Sequence, residues 1–133
     1  MKTTDVQCIG PANGERLARV GIRTTEALLK KGASDKRRRE IAAATGISHT
    51  LILRWVNHAD LFRIAGIGPQ YAEVLEKAGV NTVTELSKRI AGTLYEKMMA
   101  ANRSKKLVRK MPSQRQVEGW IAAAGKLPRL ISY

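Results

Sequence analysis

Few side chains in this sequence have the types and spacing that reaction chemistry needs. The two histidines, His49 and His58, stand nine residues apart, and no neighbouring cysteine or carboxylate completes a metal-ligand pattern. Asp60 beside His58 reads as a helix-end residue. The one cysteine, Cys8, has no recognisable base and reads as a buried thiol. The sequence therefore points away from an enzyme: no catalytic residue, metal or small-molecule substrate is expected. The chemistry on offer is that of the backbone. The stretch "IAGIGPQYAEVLEKAGV" (64–80) restates "VQCIGPANGERLARVGI" (6–22) at an offset of 58 residues. In the later copy Gly66 and Gly68 flank Ile67, and Pro69 opens a helix. Glycine admits a positive φ and close approach of a ligand to the backbone. Ile67 can anchor the turn inward. Amides around the hinge and the first helical turn then lack chain partners and face the positive helix end, an arrangement suited to an anion such as phosphate.

These hinges need elements to hold them, and nearly the whole chain reads as short helices. The expected spans are 11–20, 24–31, 35–45, 48–60, 69–78, 82–90, 93–108 and 113–124. Thr82–Glu85, Thr93–Glu96 and Ser113–Gln116 fit capping boxes. Pro11 and Pro69 fit the first helical position, and Gly21, Gly32, Gly46, Gly79 and Gly125 close amphipathic runs. No period-two strand is apparent. The tail "LPRLISY" (127–133) is apolar enough to dock back. Ile9, Gly10, Pro11, Glu15, Leu17, Gly21, Thr24, Leu28 and Lys30 match Ile67, Gly68, Pro69, Glu73, Leu75, Gly79, Thr82, Leu86 and Lys88. Each copy should thus be hinge, short helix, glycine turn, short helix. The first copy departs at two points: Cys8 replaces Gly66, and Gly14 replaces Ala72.

The segment "LFRIAGIGPQYAEVLEKAGV" resembles the helix-hairpin-helix motif in Ile64, Gly66, Ile67, Gly68 and Ala72. The resemblance implies sequence-nonspecific binding of duplex DNA, with hairpin amides on phosphates and, in some members, a monovalent cation at the hairpin. It places the phosphate-facing set at Gly66, Ile67, Gly68, Pro69 and Gln70, with Gly10 a weaker counterpart. Some relatives use a lysine for lyase chemistry, but no lysine here is marked out for it. The whole chain further resembles an uncharacterised bacterial domain-of-unknown-function family with such motifs, in "GISHTLILRWVNHADL" (46–61) and the ending "LPRLISY". The implied architecture is all-α. Two pseudo-repeated helix-hairpin-helix units (6–31 and 64–90, joined by a helical connector, 34–61) form a tandem domain over 1–90. A basic C-terminal helical extension, 91–133, packs on it as part of one compact helical domain.

Charge agrees with a polyanionic partner. There are 24 Lys+Arg against 11 Asp+Glu, a formal +13. Residues 91–133 hold nine basic and two acidic side chains, whereas 41–90 hold five and four. Within "NRSKKLVRKM" (102–111), Arg103, Lys106 and Lys110 fall at i, i+3, i+7 and Lys105 and Arg109 at i, i+4. They are expected to form a basic helix face opposite Leu94, Met98, Ala101 and Val108, positioning phosphates. "DKRRRE" (35–40) spans a full turn, so its cations cannot share one ligand. "EIAAATGISHTLILRWV" (40–56) has helix-turn-helix spacing and would offer His49, Thr50, Arg54 and Asn57 to a major groove. Its second helix is apolar on most sides, however, and reads as a buried connector. Trp55 and Trp120 sit among aliphatics and read as core, leaving no exposed aromatic cluster for single strands. No apolar run could span a membrane. The stretch "MKTTDVQCIG" has no apolar signal core, so no secretion is expected and cytoplasmic residence is. Structured RNA, or an acidic protein met by an adapter, are the alternative partners.

Overall fold

A computed structural model describes residues 1–133. The protein is all-helical, with eight α-helices: α1 (Pro11–Arg19), α2 (Thr25–Lys31), α3 (Asp35–Thr45), α4 (His49–Leu61), α5 (Pro69–Lys77), α6 (Val83–Ser87), α7 (Ala91–Lys105) and α8 (Gln114–Gly125). A 3-10 turn at Thr3–Asp5 and one isolated bridge, Lys2 to Thr24, are the remaining regular features. No helix is long and apolar enough to cross a membrane. The chain divides into two compact units, 1–60 with 130–133, and 61–129. The C-terminal helices α7 and α8 therefore belong with the second hinge.

The first unit buries Val6, Ile9, Leu17, Ile22, Leu28, Ile52, Trp55 and Val56. Pro11 stands at the start of α1, where its missing N–H costs nothing. Thr24 caps α2 by accepting from the Ala27 amide, and Ser34 caps α3 by accepting from the Arg37 amide. Gly46 ends α3 in the left-handed conformation. Within α4, Ile52, Trp55, Val56, His58, Ala59 and Asp60 are buried, whereas Thr50 is exposed. His49, Arg54 and Asn57 are partly exposed, so α4 is buried along one side. The tail docks as an extended segment: the Ser132 amide donates to the Ala33 carbonyl at 2.8 Å, and Ile131 is buried.

In the second unit α8 packs on α6 and α7, and α7 packs on α5. Their shared core includes Leu61, Ile64, Ile67, Val74, Leu75, Leu86, Leu94, Met98, Val117 and Trp120. Ser113 and Gln116 form a reciprocal capping box on α8. Thr82 accepts from the Glu85 amide, while the Glu85 carboxylate takes the Asn81 amide. The box expected at Thr93–Glu96 does not form. α7 begins two residues earlier, at Ala91 after Ile90, without a side-chain cap.

The backbone bonding of the first unit recurs in the second at the 58-residue offset. Ile9 donates to Val6, as Ile67 does to Ile64, each at 3.1 Å. Ile22 donates to Leu17, as Val80 does to Leu75, each at 2.9 Å. Gly21 and Gly79 both take positive φ. Their carbonyls accept from Lys31 and Arg89, again 58 residues apart.

Candidate functional site

The second hinge is built from Leu61 to Gly68. The Ile64 amide donates to Leu61 and the Ile67 amide to Ile64, and both isoleucines are buried. Gly66 lies at φ +94, where a β-carbon is strained, and a Cβ there would also stand 3.2 Å from Trp120 Nε1. Gly68 is extended (φ −103, ψ −173), and Pro69 follows at the first position of α5. The Gly68 carbonyl accepts the Ala72 amide at 2.9 Å.

This geometry sorts the five expected hairpin residues. Ile67 is an anchor whose amide is already bonded, and Pro69 has no N–H, so neither donates to a ligand. The amides of Gly66, Gly68 and Gln70 have no protein partner. Nothing would lie within 4 Å of a Cβ on Gly68, and its φ suits any residue. The fold therefore does not require glycine there. Close approach of a ligand to the amide would.

The basic segment differs from expectation. α7 ends at Lys105 rather than 108, so Arg103, Lys106 and Lys110 do not form one helix face. Lys106 adopts the left-handed conformation (φ 51, ψ 49) and donates its amide to the Asn102 carbonyl at 2.7 Å. The Asn102 side chain then grips Val108 twice, accepting from its amide at 2.9 Å and donating to its carbonyl at 3.2 Å. The Tyr71 hydroxyl donates to the Lys110 carbonyl at 3.0 Å. These bonds hold residues 106–110 as a fixed loop beside the start of α5. Together they enclose an open groove of about 560 Å³ lined by Gln70, Tyr71, Asn102, Lys106, Leu107, Val108, Arg109 and Lys110. Of the expected site residues, Gln70, Lys106, Arg109 and Lys110 thus meet in one place. Arg103 and Lys105 are exposed on the last turn of α7, outside the groove lining. There they favour the negative helix end.

In the first unit Gly10 caps α1 in extended conformation (φ −79, ψ 175), also with open space at its Cβ position. Cys8 does not take the positive φ of Gly66. A Cβ at Gly14 would meet Thr4 Cγ2 at 2.6 Å, so the Thr4 side chain would have to shift for a residue like the buried Ala72 of the second copy. A smaller groove in this unit, about 350 Å³, is lined by Val20, Ile22, Lys31, Arg37, Glu40, Ile41 and Ala44, and does not include Gly10.

Cations of "DKRRRE" also have structural partners. Arg38 of "DKRRRE" is buried and donates to the carbonyls of Gly32 and Ser132 at 2.8 and 2.6 Å. Burial pushes its guanidinium below its usual value. Lys36, Arg37 and Arg39 remain exposed. His49 Nε2 lies 3.1 Å from Asp35 Oδ1, and Asp35 Oδ2 accepts from Arg39 at 2.9 Å. The Arg39 hydrogen bond holds the Asp35 carboxyl below the usual range. Tyr71 and Asn102 are groove residues that the sequence did not mark, because nothing local shows that α5 and α7 converge.

Fold and site together define an all-α protein of two helical units, the second carrying a glycine hairpin with open amides beside a pinned basic loop. The chain belongs to the family described as Domain of unknown function (DUF4332), whose profile matches residues 7–127. No curated protein and no solved structure matches it.

Proposed function

We propose that this protein binds duplex DNA without sequence preference and without catalysis, holding backbone phosphates on the second hairpin and its basic loop. The observation that carries this reading is the meeting of Gln70, at the open amide end of α5, with Lys106, Arg109 and Lys110 in one groove. Amides and long cations grip phosphate and read no base. The second unit carries thirteen basic and five acidic side chains, a balance of +8, so the groove lies in a positive field. The helix-hairpin-helix reading of residues 64–90 agrees, and Gly10 supplies a second, weaker contact. The reducing cytoplasm suits a chain with a single cysteine, Cys8.

The test is fluorescence anisotropy of a short duplex titrated with protein from roughly 50 to 200 mM salt. Each cation that neutralises a phosphate contributes about −0.9 to the slope of log K against log salt. Replacing Lys106, Arg109 and Lys110 together by glutamine should flatten that slope by up to about 2.7. A folded wild type that ignores the duplex at low salt would sink the proposal. Tighter binding to a structured RNA or an acidic peptide in parallel titrations would transfer it to that partner.

A further inference from the structure

We propose that Trp120 is a side-chain donor of the hairpin site, its indole N–H hydrogen-bonding an oxygen of the same DNA backbone phosphate that the hairpin amides hold. The inference rests on the duplex-binding reading above and adds to it a residue from outside the repeated segment. Trp120 is 5% exposed, and its ring belongs to the core of the second unit. A buried indole N–H ordinarily finds an acceptor. This one has none in the protein. Nor is it sealed in, because it is not among the enclosed polar atoms that lack partners. Trp55 Nε1 is among them, and no ligand can reach it.

The position of Trp120 Nε1 is fixed by its neighbours. Nε1 stands 3.2 Å from where a Cβ on Gly66 would be, at the exposed turn of the hairpin. The ring packs tilted against Tyr71, with centroids 5.4 Å apart, and Tyr71 is tied to the basic loop through the Lys110 carbonyl. An unused donor on a nearly buried side chain therefore lies beside Gly66, in the hinge whose Gly66 and Gly68 amides are open. Such neutral donors, with Gln70 of the basic groove two residues beyond Gly68, suit an oxyanion. It also gives Gly66 a second reason to be glycine, because a side chain would displace the indole as well as strain the turn.

The test uses the indole N–H signals of the full-length protein in a proton–nitrogen correlation spectrum. The chain has two tryptophans, so two such signals arise, and Trp120→Phe assigns them by removing one. A short duplex with hydroxyl ends is then added to saturation, with binding followed on the same samples by anisotropy. The Trp120 signal should shift with saturation and exchange more slowly with water, while the Trp55 signal stays in place. Trp120→Phe should weaken duplex binding about tenfold or more, the expected loss of one hydrogen bond to a charged acceptor. Saturating binding with the wild-type Trp120 signal unmoved overturns the role of Trp120 and leaves the function standing. A shift seen only with a 5′-phosphorylated duplex assigns the site to strand ends and overturns the backbone-phosphate proposal. No binding by anisotropy removes the functional reading itself.

Discussion

Replacing Gly68 by alanine separates binding from folding more cleanly than any other change here. Gly68 has φ −103 and open space around its Cβ position, so a methyl group meets nothing in the protein. Two effects on stability oppose each other. Alanine is a poorer N-cap than glycine, by roughly 0.5–1 kcal/mol. Alanine also restricts the unfolded chain, which stabilises by about 0.4–1 kcal/mol where the native conformation suits it. The net change should lie within about 0.5 kcal/mol of zero. Binding should respond very differently. The methyl stands beside an amide expected to hold a phosphate oxygen, and a hydrogen bond to a charged group is worth about 1.5–3 kcal/mol. Losing it weakens the duplex by about ten- to a hundredfold, at about 1.4 kcal/mol per tenfold. The salt slope should not change, because no cation is removed. Denaturant melts and anisotropy titrations at three salt concentrations would measure all of this. Gly66→Ala is the contrasting control. Its φ of +94 and the close Trp120 nitrogen should cost about 1–2 kcal/mol of stability. Unchanged affinity in a folded Gly68→Ala protein would refute the hairpin argument and leave charge attraction alone.

Three further outcomes are expected. Lys106→Gly relieves a left-handed residue, so it should stabilise by about 1 kcal/mol in urea melts, while flattening the salt slope of duplex binding by about 0.9. Arg38→Met keeps much of the buried stem but strips the carbonyls of Gly32 and Ser132 of their donor, and should cost about 2–4 kcal/mol in the same assay. Asp35 is held below its ordinary carboxyl value of 3.8, mainly by the Arg39 hydrogen bond. Its contribution to stability is therefore present above that pH and is lost as pH falls through the lower folded value. Asp35→Asn should flatten the acid limb of a stability-against-pH curve below about pH 4 and leave the slope near neutrality unchanged.

The sequence by itself determined the helices and the hinge. Pro11 and Pro69 open α1 and α5, Thr24, Ser34, Thr82 and Ser113 cap where their hydroxyls stand, and the 58-residue offset reappears as the same backbone bonds. These features follow from local bonding within a turn or two, which residue type and spacing encode directly. The limits of the local signal show at α7. Helix periodicity continues through Lys106 and Val108, but the Asn102 side chain and the Tyr71 bond hold those residues as a loop. Nothing in residue type singles out Arg38 from the three cations beside it, yet it is buried, bonded to the nearby Gly32 carbonyl and to that of Ser132 at the other end of the chain. Only the tertiary structure decided which cations share a groove with Gln70 and that the indole nitrogen of Trp120 lies beside Gly66. Those relations join α5, α7 and α8 across 50 residues of sequence, and they depend on packing that no local pattern carries.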